Sequence, residues 1–247
     1  MDRRREPLPT RVEDTPPLPA EYDTTLRRGL RELGLDLPEP ARVAIDGHVR
    51  LLLAWTAAIN LTGIRDPAEV ALRHVIDSLT ALPWLRERGV ERLLDLGSGG
   101  GFPGIPLAAA APTLDVTLAE PVGKKARFLE TAVRATVLAG RVSVVAARAE
   151  ALARDESDRG HWQVVTARAV ASTSKLVELA FPLLAPGGAL VAWKRGDLGD
   201  ELRAASRTVD AVGGGSIDIV DVEVRGLVDH RLVVATRSTS ALLGRRS

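Results

Sequence analysis

Residues 97–101 read Gly-Ser-Gly-Gly-Gly and directly follow the apolar run "RLLDL" at 92–96. Glycine has more conformational freedom to lose than any other residue, so a cluster of them marks unusual backbone angles or a close approach to the main chain. A strand, a glycine turn and a helix in that order set backbone groups against a nucleotide-like ligand. Two ligand classes use such a turn. Gly99, Gly101 and Gly104 have the G-x-G-x-x-G spacing of a dinucleotide site, where pyrophosphate rests on the helix N-terminus. Gly97, Gly99 and Gly101 have a shorter G-x-G-x-G spacing that suits S-adenosylmethionine, which carries a charged amino-acid moiety and no phosphate.

The flanking residues favour the second class. Asp95, at the end of the first strand, places an anion where pyrophosphate would be repelled and an ammonium accepted. Pro103 and Pro106 remove amide donors from the turn that would cradle phosphate. The string "LLAPGGALVAWK" resembles the turn that introduces the fifth strand of S-adenosylmethionine-dependent methyltransferases. Glu120 ends the second strand, where a carboxylate accepts ribose hydroxyl protons in either ligand class. Arg168, at the end of the fourth strand, is a long cation over the same site.

These residues need a scaffold, and the sequence supplies an α/β one. From residue 91 short apolar strands alternate with helices: "RLLDL", "LDVTLAE", "RVSVVAA", "HWQVVTARA" and "ALVAWKR" as strands, with "APGG" as the turn before the last. That order predicts a mostly parallel sheet covered on both faces, and "SIDIVDVEV" with "HRLVVATR" an antiparallel pair that closes it. Residues 21–88 carry helical periodicity, with Asp66 as an N-cap and Pro67 at the first helical position. The expected organisation is a disordered Pro/Arg-rich tail over 1–20, a small helical subdomain over 21–88, a Rossmann-like domain over 89–238 and a flexible tail over 239–247.

Composition narrows the function classes. The chain has 247 residues and no cysteine, which excludes disulfides, thiolate metal sites and cysteine nucleophiles. The four histidines are scattered, so no metal site is expected. With 33 Lys/Arg against 32 Asp/Glu, nucleic-acid binding would need local clustering of charge, and 3% aromatics argues against a stacking platform for single strands. No apolar run reaches membrane-spanning length and the start lacks a signal-peptide pattern, so a cytoplasmic protein is expected, off the membrane and monomeric.

The strings "NLTGIRDPAEVALRHVIDSL", "LLDLGSGGGFPGIPLA", "GKKARFLE", "AARAEAL" and "TARAVAS" together resemble the RsmG (GidB) family of 16S ribosomal RNA guanine-N-7 methyltransferases, over roughly residues 50 to 195. The resemblance implies a class I S-adenosylmethionine-dependent fold, that cofactor, and a guanine of the small ribosomal subunit as acceptor. It puts cofactor contacts on Gly97, Phe102, Ala149, Glu150 and Arg168, with Glu120 on the ribose and the 149–150 turn around the adenine. Near the C-terminus the family often has Arg before His, whereas this chain reads His230-Arg231, so His230 receives no role.

Guanine N-7 has an exposed lone pair and no proton to lose, so transfer to it needs positioning rather than a general base. Arg168 and His74 are the expected positioning residues, with His74 and Asp77 on one face of a helix that closes over the site. Arg73, Lys124, Lys125, Arg127, Lys194 and Arg195 are further candidates for RNA contacts. Lysines at the start of the helix after the second strand oppose its dipole, and pairing with Glu120 or Glu130 would explain them equally well. Two other readings use the same loop: a nicotinamide-dependent oxidoreductase, and a non-catalytic cofactor-binding factor in ribosome assembly.

Overall fold

A computed structural model of the chain describes residues 7–168 and 171–239, so residues 1–6 and 240–247 of the expected tails lie outside the described residues. Helix α1 (Ala20–Glu32) buries Tyr22, Leu26 and Leu30 on one face. Helix α2 (Glu39–Ile59) is buried along most of its length and ends at Asn60, which takes the left-handed angle of a helix stop. Asp66 then caps helix α3 (Pro67–Val70), its side chain accepting from the Glu69 amide at 2.9 Å. The helix widens into a π-helical stretch (Ala71–Ile76) and continues as α4 (Asp77–Leu79) and α5 (Leu82–Glu87). Such widenings recur at functional sites because they re-aim side chains out of the regular helical rows.

Residues 7–19, expected within a disordered tail, are instead packed. Trp55 Nε1 donates to the Pro9 carbonyl at 2.7 Å, and Arg50 donates to the carbonyls of Thr15 and Pro16. Val12 fills the space above Gly47, whose missing Cβ would lie 2.9 Å from it. A proline-rich segment has few N–H groups to satisfy, so a few side-chain donors and apolar anchors are enough to fix it.

The sheet contains β1 (Arg92–Leu96), β2 (Asp115–Ala119), β3 (Val142–Val145), β4 (Trp162–Arg168), β5 (Leu184–Arg195), β6 (Gly215–Asp221) and β7 (His230–Arg237). Its order is β3-β2-β1-β4-β5-β7-β6, parallel from β3 to β5, with β7 antiparallel to both of its neighbours. Between and after these strands run α6 (Gly104–Ala110), α7 (Gly123–Ala135), α8 (Ala149–Leu152), α9 (Thr173–Ala180) and α10 (Gly199–Val212). The "APGG" segment is a correction: it lies inside β5 rather than in a turn before it. The β4–β5 register shifts between Trp162 and Val164, and Gly187 has φ +77, so the strand absorbs these residues as a bulge. Helix α10 had no counterpart in the sequence reading; it buries only Ala205 and Val209.

The helices at 21–88 share one core with a face of the sheet: Leu26, Ile45, Leu52 and Ile76 cluster with Leu93, Ile105, Phe128 and Val191. A second cluster, including Leu94, Val165, Leu176 and Phe181, covers the opposite face. No helix among the described residues is long and apolar enough to cross a membrane. The chain leaves β1 toward β2 and β3, then returns to the other side of β1 as β4. Parallel sheets bind ligands at that reversal, beyond the carboxyl ends of the strands. Leu96 pairs with Ala167, so the glycine loop and Arg168 emerge side by side there.

Candidate active site

Three buried side chains hold the glycine loop from beneath. Glu120 accepts from the Gly99 amide through Oε2 and from the Val122 amide through Oε1, each at 2.9 Å. His48 Nε2 donates to the Gly100 carbonyl at 2.7 Å. Asp95 accepts from Thr166 Oγ1 at 2.9 Å and from the Gly104 amide at 3.2 Å. The loop itself needs glycine: φ is +71 at Gly97, +55 at Gly99 and +91 at Gly101.

Above the loop lies a cleft of about 510 Å³, within the usual range for small-molecule sites. Gly97, Ser98, Gly99 and Gly100 form its floor, with Phe102 beside them. The π-helical stretch and α4 supply Arg73, His74 and Asp77; β4, β5 and β7 supply Arg168, Lys194, Arg195 and His230. With Lys125 from α7, five cations face one carboxylate, so the cleft attracts anions.

Asp77 joins the parts. Its Oδ2 accepts from Arg168 Nη1 at 3.1 Å and its Oδ1 lies 2.8 Å from His230 Nδ1. Its carbonyl accepts from Trp193 Nε1 at 2.7 Å. Arg168 also donates to the Arg73 carbonyl at 3.0 Å, and its Nη2 lies 3.1 Å from His74 Nδ1. His74 Nδ1 is equally 3.1 Å from the Arg73 carbonyl, so it accepts from Arg168 in one tautomer and donates to that carbonyl in the other, while Nε2 bonds Thr62 Oγ1 at 2.7 Å. The His74 ring stacks on Phe102 at 4.8 Å between centroids, and the Arg168 guanidinium sits over the same phenyl ring at 5.4 Å.

Burial sets the charge states. It pushes the His48 imidazole down to about 4, and it does the same to His74, with help from the Arg168 charge. Burial also pushes the Asp95 carboxyl up to about 6, against the hydrogen bonds it accepts. A lowered histidine pKa gives stability that is present above the unfolded value near 6.5 and lost as pH falls toward 4. A raised carboxyl pKa acts in reverse: the stability is present near pH 4 and lost as pH rises through about 6. By these shifts each group is worth roughly 3 kcal/mol. Unfolding free energy is therefore expected to fall between pH 6.5 and 4, and to fall more steeply in Asp95→Asn, which lacks the offset. Urea titrations at several pH values measure both slopes; parallel slopes would place the Asp95 proton elsewhere.

The structure brings Gly97, Phe102, His74 and Arg168 together in the cleft. It places Glu120 behind the loop, with both oxygens on loop amides. Ala149 and Glu150 begin α8 and do not line the cleft. Asp95, read as a partner for an ammonium, is fully buried and faces Thr166 and Gly104 instead, because the first amide of α6 needs a capping acceptor and the N-cap residue, Pro103, has no side-chain oxygen to offer. Glu130 pairs with Arg134, and Glu120 is occupied, so neither takes the α7 lysines. Sequence reasoning missed His48 and His230, whose partners lie 52 and 153 residues away.

The sequence model described as rRNA small subunit methyltransferase G matches residues 43–225. The chain belongs to the rRNA small subunit methyltransferase G family. It is 44% identical over 187 residues to the ribosomal RNA small subunit methyltransferase G of Roseiflexus castenholzii, covering 75% of this chain and 79% of that one. With the protein of the same name from Dehalococcoides mccartyi it shares 36% identity over 222 residues, 89% of this chain and 94% of that one. Among solved structures it resembles the O-methyltransferase from Bacillus cereus in complex with SAH, with TM-score 0.58 and 16% identity over 87% of this chain and all of that one. That likeness fixes the fold as the class I S-adenosylmethionine-dependent type.

The methyl donor of the small subunit methyltransferase G family member described here is S-adenosylmethionine, and the cleft suits it. The glycine floor allows close approach, the cations suit a carboxylate, and the first α6 amide is already taken by Asp95, which disfavours pyrophosphate there.

Proposed function

We propose that the protein methylates N-7 of a guanine in 16S ribosomal RNA, acting as a cytoplasmic monomer. The observation that carries this reading is a cationic cleft, opening from the glycine floor to a wall of Lys194, Arg195 and His230, in a chain of this family. When bound, S-adenosylmethionine supplies a methyl group already activated as a sulfonium. The loop at Gly97–Gly101 and Phe102 hold it, and Arg168 is fixed over Phe102 by Asp77 and His74. Glu120, by tying Gly99 to the end of β2, orients the loop edge toward the ribose, and the family resemblance assigns Ala149 and Glu150, at the start of α8, to the adenine. The guanine nitrogen brings its own lone pair, so the residues orient and desolvate, and none has to remove a proton.

The RNA candidates fall into two groups. Arg73 pairs with Glu69, Lys194 with Glu201 and Arg168 with Asp77. Lys124, Lys125, Arg127 and Arg195 have no carboxylate partner among the described residues, so they are the cations available to phosphate. Replacing Lys124, Lys125 and Arg127 together by alanine is expected to weaken RNA binding. Each lost phosphate contact should flatten the slope of log affinity against log salt by about 0.7–0.9. Binding titrations at several salt concentrations read this directly.

The test of function is transfer of labelled methyl from S-adenosylmethionine into 16S rRNA, offered as protein-free rRNA, 30S subunits and 70S ribosomes from cells lacking the modification. Label on guanine N-7 is the expected result. No label on any of the three substrates would refute the proposal.

A further inference from the structure

His230 opens β7, directly across the antiparallel register from Arg195 of β5. Its side chain is 10% exposed and that of Asp77 6%. A carboxylate only accepts, so the ring proton sits on Nδ1, held by Asp77 Oδ1. Nε2 bonds to no described residue, yet it is not among the sealed buried atoms, and His230 lines the cleft. In the neutral ring that nitrogen is an open acceptor. Among the described residues, the neighbouring side chains of this wall offer none. Lys194 and Arg195 can only donate. Asp77 has both oxygens engaged, and both nitrogens of His74 are engaged as well.

The bases differ at this kind of wall. Guanine carries an acceptor at O-6, beside N-7, and N–H donors at N-1 and on its exocyclic amine. Adenine has an amine where guanine has O-6, and an acceptor at N-1. We propose that His230 is a specificity-determining residue for the acceptor base: Nε2 accepts an N–H of guanine while the unpaired Arg195 guanidinium donates to O-6. Adenine would set its own acceptor against Nε2 and its amine against Arg195, and neither contact can form. The inference rests on the guanine methyl-transfer reading above.

Two variants separate reading the base from bracing the fold. Asparagine at 230 can keep the donation to Asp77 but offers nothing where Nε2 stood. Glutamine sets an amide carbonyl near the Nε2 position. We compare wild type, His230→Asn and His230→Gln by S-adenosylmethionine calorimetry, thermal melting, and kcat and KM for methyl transfer to 30S subunits lacking the modification. Cofactor affinity is expected to stay within about twofold, and His230→Asn to lose roughly 10- to 100-fold in kcat/KM, the size of one base-edge contact. His230→Gln should recover part of that loss. Full activity in His230→Asn, or a glutamine variant no better than the asparagine one, overturns the inference. So does loss of cofactor binding and cooperative melting in both variants, which would make His230 structural. A wild-type enzyme that leaves 16S rRNA unlabelled would instead bring down the methyl-transfer reading, and this inference with it.

Discussion

Asp77→Ala is expected to cost roughly 3–5 kcal/mol of stability and to slow methyl transfer by about 100-fold or more. Asp77 is 4% exposed and is the carboxylate that both Arg168 and His230 meet in the cleft. Removing it leaves a half-enclosed guanidinium, itself only 15% exposed, without its counter-charge. Losing one partner of a buried pair is far worse than losing both, because the remaining charge has already left water. Arg168 would retain the Arg73 carbonyl and His74 Nδ1, both neutral partners, and lose the charged one that helps hold it over Phe102. A misplacement of about 1 Å near reacting atoms is enough for a rate loss of that order. Urea unfolding gives the first quantity and single-turnover transfer to 30S subunits the second. Asp77→Asn keeps the shape and an acceptor but not the charge, so its losses should fall between alanine and wild type. Wild-type rates in the alanine variant would show that the clasp is dispensable.

Gly101→Ala should be nearly as damaging, by a different route. A residue other than glycine at φ +91 is strained by roughly 1–3 kcal/mol. The added Cβ would also lie 2.6 Å from Ile105 Cδ1 and 2.8 Å from His48 Nε2. Moving the His48 ring breaks its bond to the Gly100 carbonyl inside the core, about 1–3 kcal/mol more. The loop then loses one of its three braces, and S-adenosylmethionine binding by calorimetry is expected to fall below detection. Combining the change with His48→Ala removes the clash with the ring, but neither the strain nor the close contact with Ile105. The double variant should therefore be less unstable than the sum of the two single changes, and strict additivity would show that ring and loop are not coupled.

Local features of this site were legible in the sequence, while its long-range pairings were not. The glycine cluster, the Asp66–Pro67 helix start and the strand–helix alternation are written in neighbouring residues, where backbone angle and periodicity decide the outcome. Arg168 could be placed near the loop because it ends a strand that the alternation located, whereas His74, inside a helix before residue 91, was placed there by the family resemblance. The partner of a buried polar group is another matter. Asp95 and Glu120 both sit at strand ends facing a prospective ligand, yet both bond inward, because buried loop amides need acceptors and these carboxylates are the nearest. His230 was set aside on its neighbour in the chain, but its role comes from Asp77, which only the closing of the sheet brings to it. The packed residues 7–19 were missed for a related reason: their stability comes from donors on α2, which composition alone does not reveal.

Trp193 gives the site an optical handle. Its indole nitrogen is tied to the Asp77 carbonyl while the ring forms part of the cleft wall. A fluorophore so fixed senses the water, charge and aromatic stacking that change when either substrate arrives. With Trp55, Trp84 and Trp162 replaced by phenylalanine, the emission of one native residue would time the order in which donor and RNA enter the enzyme, with no label attached to either.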